Sequence, residues 1–264
     1  MSCIQHDLAL VLEIHRDLSA DIGLHLPQSP IRALWLAHQH SRLKNRAHVV
    51  MHIGSPAMND QTYRGEQILA ELIGSRLCHD LVNPLGAIGN GVELAEMTGN
   101  VAGAEMALIR DAVNEAQARI RFFRIAFGAA GPHQMLSARE ARVAALDLHK
   151  GTRLAVDWRV DTDLPRVQAK LAFLMILCAE TALPMGGPLR IGIEGNGTWK
   201  LDADAARIQL DDALWSTLRF GMGAAGRPLK PSEVQFAALH IAAGALDRTV
   251  NYVGHDTGLS MSTS

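Results

Sequence analysis

The residues best suited to chemistry lie in the stretch SRLCHDLVNPLGAIGN, Ser75 to Asn90. An imidazole, His79, stands beside a carboxylate, Asp80; Arg76 precedes the histidine by three residues and Pro84 follows it by five. On a helix at about 100° per residue, His79 lies about 200° from Leu77 and about 160° from Leu81. It therefore points away from the apolar stripe to which those leucines belong. Its own face carries Leu72, Arg76, Asn83, Gly86 and Asn90. A helix that needed only to pack would not place glycine there, because each costs about 1 kcal/mol against alanine. Small residues let another backbone come close, so this face reads as a docking site with an imidazole at its centre. Pro84 deletes a backbone donor and presses on the carbonyl of Asp80, at a cost of about 3 kcal/mol. A bend one turn after His79 is the expected result.

The elements that position this stretch are helical. Leu69, Ile73, Leu77, Leu81, Ile88 and Val92 recur at spacings of four or seven, which predicts one helix over about 63–97. TGNVAG, Thr98–Gly103, breaks it. A second helix is predicted over about 104–127, with Ile109, Val113, Ala116, Ile120, Phe123 and Phe127 as a heptad seam. Gly128, Gly131 and Pro132 stop it. Two such helices form an antiparallel hairpin, and pairing two hairpins gives a four-helix bundle, so a homodimer is expected.

The remainder mixes strands and helices. Ser137–His149 reads as a helix, Arg153–Val160 as a strand, Asp163–Pro165 as a turn and Val167–Leu183 as a buried helix. Pro188–Gly195 and Gly197–Asp204 read as a hairpin, Asp211–Phe220 as a short helix and Ser232 to about Arg248 as another, with Ser232 as N-cap. TVNYVG and TGLSMS close the chain as paired strands. The fold class expected is α+β, with residues 58–131 as the hairpin domain and 132–264 as an α/β sandwich. Residues 1–57 are expected to be a poorly ordered extension. They hold seven of the twelve histidines at irregular spacing, with a metal site only a minor alternative.

Composition narrows the function. A net charge of −2 argues against nucleic acid and anionic membranes as partners. Cys3, Cys78 and Cys178 form no CxxC pair, so neither zinc nor a disulfide framework is indicated and a reducing, cytoplasmic setting is expected. Cys78 reads as a small core residue. No apolar run reaches the roughly 18 residues a membrane span needs, and no signal peptide is expected.

HDLVNP resembles the phosphoacceptor box of two-component histidine kinases, and RLCHDLVNPLGAIGNGVELAE resembles the ChpT family of histidine phosphotransferases. RFFRIAFGAAG (Arg121–Gly131) and AETALPMGG (Ala179–Gly187) are similar to the same family, and the resemblance covers about 64–264. It implies a four-helix dimerisation bundle carrying the histidine, followed by a histidine-kinase ATPase-like α/β sandwich that no longer binds ATP. Ile176 and Glu180 fall where kinases place two metal-holding asparagines, and isoleucine cannot ligate a metal. No DxGxG turn occurs in the chain, and GMGAAG (Gly221–Gly226) reads as a loop rather than a phosphate cradle.

The resemblance further implies that His79 takes a phosphoryl group from a receiver-domain aspartyl phosphate of a hybrid histidine kinase. It then passes the group to the aspartates of response regulators. Asp80 would orient the imidazole and steady its charge. Arg76 would steady phosphoryl oxygens or pair elsewhere on the bundle. Asn83, Leu72, Gly86 and Asn90 would meet the receiver. No cofactor is expected on this chain, and Mg²⁺ is expected on the receiver. Three readings compete: a receiver-binding adaptor, a receiver phosphatase without a phosphohistidine, and a sensor kinase with degenerate nucleotide boxes.

Overall fold

Helix α1, Asp60–Thr98, carries the HDLVNP stretch and runs unbroken through Pro84, whose ring is buried. Helix α2, Ala104–Ala126, packs along it as the expected hairpin. The architecture comes from a computed structural model that describes residues 60–98, 103–195 and 197–264. The expectations for residues 1–57 and the turn residue Asn196 lie outside those residues. The α+β organisation is the one the sequence predicts.

After α2 come strand β1 (Met135–Leu136), helix α3 (Ala138–Asp147), strand β2 (Leu154–Trp158) and strand β3 (Leu164–Pro165). Helix α4 (Arg166–Ala182) leads into strands β4 (Gly187–Ile193) and β5 (Trp199–Asp204). Helices α5 (Asp212–Phe220) and α6 (Val234–Gly244) precede strands β6 (Val250–Gly254) and β7 (Gly258–Thr263). The main sheet runs β2-β4-β5-β7-β6, with β2 parallel to β4 and every other pairing antiparallel. β1 and β3 form a separate two-stranded ladder, so the predicted turn at 163–165 also contributes a strand.

Several local signals work as their chemistry requires. Ser137 Oγ accepts the Glu140 amide at 3.2 Å and starts α3. Asp211 Oδ1 accepts the Leu214 amide at 3.1 Å and starts α5. The start of α6 differs from the sequence expectation: Ser232 is not its cap. Pro231–Glu233 form a turn of 3-10 helix, and the Glu233 carboxylate accepts the Lys230 amide at 2.8 Å. Arg227 grips the same carboxylate with two bonds, at 2.7 and 2.9 Å. A carboxylate held by a two-pronged guanidinium is a stronger anchor than a serine hydroxyl.

The core lies between α4 and the sheet. Every residue of α4 from Leu171 to Ala179 is buried, as a helix covered on all sides must be. Phe122 of α2 meets Phe173 of α4 at 4.7 Å between ring centroids, Phe173 meets Trp158 at 5.5 Å, and Trp158 meets Trp199 at 5.7 Å. The end of α2 thus shares one apolar core with the α/β part. Two cations tie the same end down. Arg166 Nη2 donates to the Arg124 carbonyl at 2.7 Å, and Lys170 Nζ donates to the Gly128 carbonyl at 3.1 Å. The last carbonyls of a helix lack intrahelical donors, and positive charge there is favourable. Burial, then the neighbouring Arg166 charge, holds the Lys170 ammonium below its usual range.

Candidate functional site

His79 stands on α1 with 81% of its side chain exposed. Its Nδ1 lies 3.1 Å from Asp80 Oδ1. Neighbours on a straight helix do not face each other, so the contact depends on how Asp80 is held. Arg76, one turn earlier, donates from Nε to the other oxygen, Asp80 Oδ2, at 2.8 Å. The side chains of Arg76 and Asp80 are only 14% and 15% exposed. An ionised carboxylate only accepts hydrogen bonds, so the contact to His79 requires the ring proton on Nδ1. That tautomer leaves the Nε2 lone pair for a nucleophilic role, and among the described residues no partner to Nε2 is found.

Burial alone would push the Asp80 carboxyl up. The hydrogen bonds from His79 and Arg76, with the charges of Arg76 and Arg119, outweigh it and hold the group below the usual carboxylate value of 3.8. A group depressed on folding contributes stability above its unfolded pKa and loses it as pH falls through the folded one. The carboxylate is therefore fully ionised at neutral pH, and this clamp fails only under strong acid.

Arg76 does more than the sequence suggested. Besides Asp80, its Nη1 donates to the Ser232 carbonyl and to Gln235 Oε1, both at 2.9 Å and both beyond the hairpin. Gln235 in turn donates from Nε2 to Thr181 Oγ1 at 3.1 Å and to the Ser232 carbonyl at 2.9 Å. These partners lie 156 and 159 residues along the chain from Arg76, so helical spacing could not disclose them. The one available signal was Gln235 itself, a polar residue in the apolar run VQFAALHIAAG.

The wheel face divides in two. Leu72 is half-buried and packs against the core. His79, Asn83, Gly86 and Asn90 stay exposed. A Cβ added at Gly86 or Gly89 meets nothing within 4 Å, whereas one at Gly91 comes within 2.6 Å of the Ile109 side chain. Gly91 serves close helix packing, and Gly86 leaves open surface beside the imidazole. Cys78 corrects a sequence expectation. It is exposed next to His79 rather than in the core, because one step along the helix swings it about 100° from Leu77. Cys178 is the buried thiol, and burial pushes its pKa up despite the Arg76 charge.

Ile176 is wholly enclosed in the core. Glu180 is exposed and lines a crevice of about 420 Å³ beneath Asp80, together with Arg119, Thr181 and Lys230. Met222–Ala225 of the glycine-rich segment form a 3-10 turn. No three of the described His, Cys, Asp and Glu residues converge as a metal site, and no described helix is long and apolar enough to cross a membrane.

Residues 138–258 match the family model described as the histidine phosphotransferase C-terminal domain. The protein phosphotransferase ChpT of Brucella abortus (strain 2308) is 39% identical over 132 residues, which are 49% of this chain and 63% of that protein. A bacterial phosphotransferase solved at 1.7 Å superposes with a TM-score of 0.63 at 28% identity, over 74% of this chain and 95% of that one. The Acinetobacter baumannii histidine kinase AdeS aligns over 70% of this chain and 95% of its own, at a TM-score of 0.37 and 12% identity. Residues 138–258 thus carry the histidine phosphotransferase C-terminal domain, and the chain, with the HDLVNP stretch on its hairpin, is similar to the phosphotransferase ChpT.

Proposed function

We propose that this chain relays phosphoryl groups between receiver domains through His79. The observation that carries the reading is the exposed imidazole whose Nδ1 is engaged by a clamped carboxylate. In the forward step the Nε2 lone pair attacks the phosphorus of a receiver's aspartyl phosphate. An N–P bond forms, the P–O bond to the aspartate breaks, and the receiver recovers its carboxylate. The proton stays on Nδ1, so the ring gains positive charge that the Asp80 carboxylate balances. The reverse step on a second receiver discharges the histidine. Mg²⁺ would sit with the receiver's own acids, and catalysis is mainly positioning and charge neutralisation. Asn83, Gly86 and Asn90 supply the open surface on which the receiver would rest. The donor would be a hybrid histidine kinase receiver and the acceptors response regulators, in the cytoplasm.

The test mixes the protein with a radiolabelled phosphorylated receiver and Mg²⁺, alongside His79→Gln. Acid-labile, base-stable label on this chain, absent from the variant, is expected. Loss of label from the receiver without gain here, in both proteins, would identify a phosphatase instead. No discharge of any receiver tried would favour an adaptor.

The hairpin also supports a homodimer. Val82, Leu85, Leu94, Met97 and Leu108 are exposed large apolar residues, and Ile120 of the heptad seam is 51% exposed. Exposed apolar rows on a hairpin are what a second hairpin would cover in a four-helix bundle. Ile120→Asp is expected to shift the protein from dimer to monomer in sedimentation velocity; an unchanged dimer would place the interface elsewhere.

A further inference from the structure

We propose that Gln235, on the α/β part, is a positioning residue for the His79 reaction. With the Ser232 carbonyl it holds the Arg76 guanidinium, which fixes the Asp80 carboxylate that keeps the proton on His79 Nδ1. The inference deepens the phosphotransfer reading and rests on it.

Gln235 is 1% exposed, in a helix whose other buried residues, Val234, Phe236, Ala237, Ala238, Leu239 and Ala243, are all apolar. Burying an amide is unfavourable unless its hydrogen bonds are met. Here they are: Oε1 accepts from Arg76, and the two Nε2 hydrogens go to Thr181 Oγ1 and the Ser232 carbonyl. Packing alone would be served as well by leucine. Thr181 does not need the amide either, since its hydroxyl already donates to the Leu177 carbonyl at 3.1 Å. What leucine could not supply is the acceptor for Arg76.

The direction of the chain of bonds matters. Arg76 reaches Asp80 through Nε and the α/β part through Nη1. A guanidinium is planar and rigid, so fixing Nη1 fixes the Nε–H vector as well. Without the anchor, Arg76 could still touch Asp80, but from many rotamers, and long side chains lose much freedom when held. The α/β part is tied independently to the end of α2 through Arg166 and Lys170. Both helices of the hairpin are thus braced by the same body, and α6 presents a steady anchor to the histidine. In this arrangement the α/β part acts on the chemistry through hydrogen bonds, with no nucleotide required.

The test uses the full chain. Gln235→Leu is compared with wild type and Asp80→Ala, alone and combined, in transfer rate to His79, thermal midpoint and ¹⁵N spectra of the His79 ring. Gln235→Leu is expected to slow transfer about tenfold, as small misplacements of reacting groups do. The Nδ1–H form of His79 should give way to the mixture shown by a free imidazole. In the Asp80→Ala background the same change should add no further loss, since both act through one carboxylate. Unaltered rate and tautomer in Gln235→Leu, or a tenfold loss that persists without Asp80, would overturn the inference. If Gln235→Leu does not fold, Gln235→Met carries the same comparison. Absence of label on wild-type His79 would overturn the phosphotransfer reading instead, while the ring spectra still decide the network.

Discussion

Asp80→Ala is expected to slow phosphoryl transfer to His79 about a hundredfold, the low end of what a positioned proton-handling group contributes, while leaving the hairpin folded. Two effects combine. The ring loses the acceptor that keeps its proton on Nδ1, so part of the population presents a protonated Nε2 that cannot attack. The transition state also loses the negative charge that balances the developing imidazolium. Asp80 lies 3.1 Å from Nδ1, close enough for both. Asp80→Asn should restore little, because its amide can present a donor to Nδ1 as readily as an acceptor. Stopped-flow or quench-flow transfer from a phosphorylated receiver measures the rate. A loss under threefold would mean that the tautomer is set by something other than this carboxylate.

Arg76→Met is expected to damage both stability and rate. It removes the bond to Asp80 at 2.8 Å and the bonds to Ser232 and Gln235 at 2.9 Å. Because the pair is largely buried, the stranded carboxylate and amide should cost about 3 kcal/mol. For a chain of this size that lowers the thermal midpoint by roughly 10 °C. The hairpin and the α/β part lose a tie, so the transfer rate should fall at least as far as in Gln235→Leu. Arg76→Lys should recover charge but not the fork geometry, and so only part of the rate. If Arg76→Met melts like wild type and transfers normally, the chain of bonds from His79 to α6 has no mechanistic weight.

The sequence disclosed what depends on local period and local chemistry. The stripe from Leu69 to Val92 marks α1, the heptad from Ile109 to Phe127 marks α2, and each prediction lies within three residues of the observed ends. The off-stripe position of His79 was readable for the same reason, since 100° per residue fixes direction without tertiary knowledge. The β4–β5 hairpin followed from alternation on either side of a Gly-containing turn. Features that need two distant segments were not readable. Arg76 reads as a cation one turn before the histidine, yet two of its partners, Ser232 and Gln235, lie more than 150 residues away. Leu72 shares the wheel face with His79, but it packs against the core. Cys78 was misplaced because a small apolar residue in an amphipathic helix fits either side, and only packing decides. Ser232 was the obvious cap by residue type. The neighbouring Arg227 made Glu233 the better anchor, a choice that depends on a residue outside the helix.

The proposed nucleophile is Nε2 of His79, because Asp80 occupies the other ring nitrogen. The direct measurement is heteronuclear ³¹P and ¹⁵N NMR of the protein after phosphorylation by a receiver, held at alkaline pH where phosphohistidine survives. One phosphoramidate is expected, on Nε2 of His79, with Nδ1 still protonated. A phosphoryl group on Nδ1, or on a residue other than His79, would contradict it.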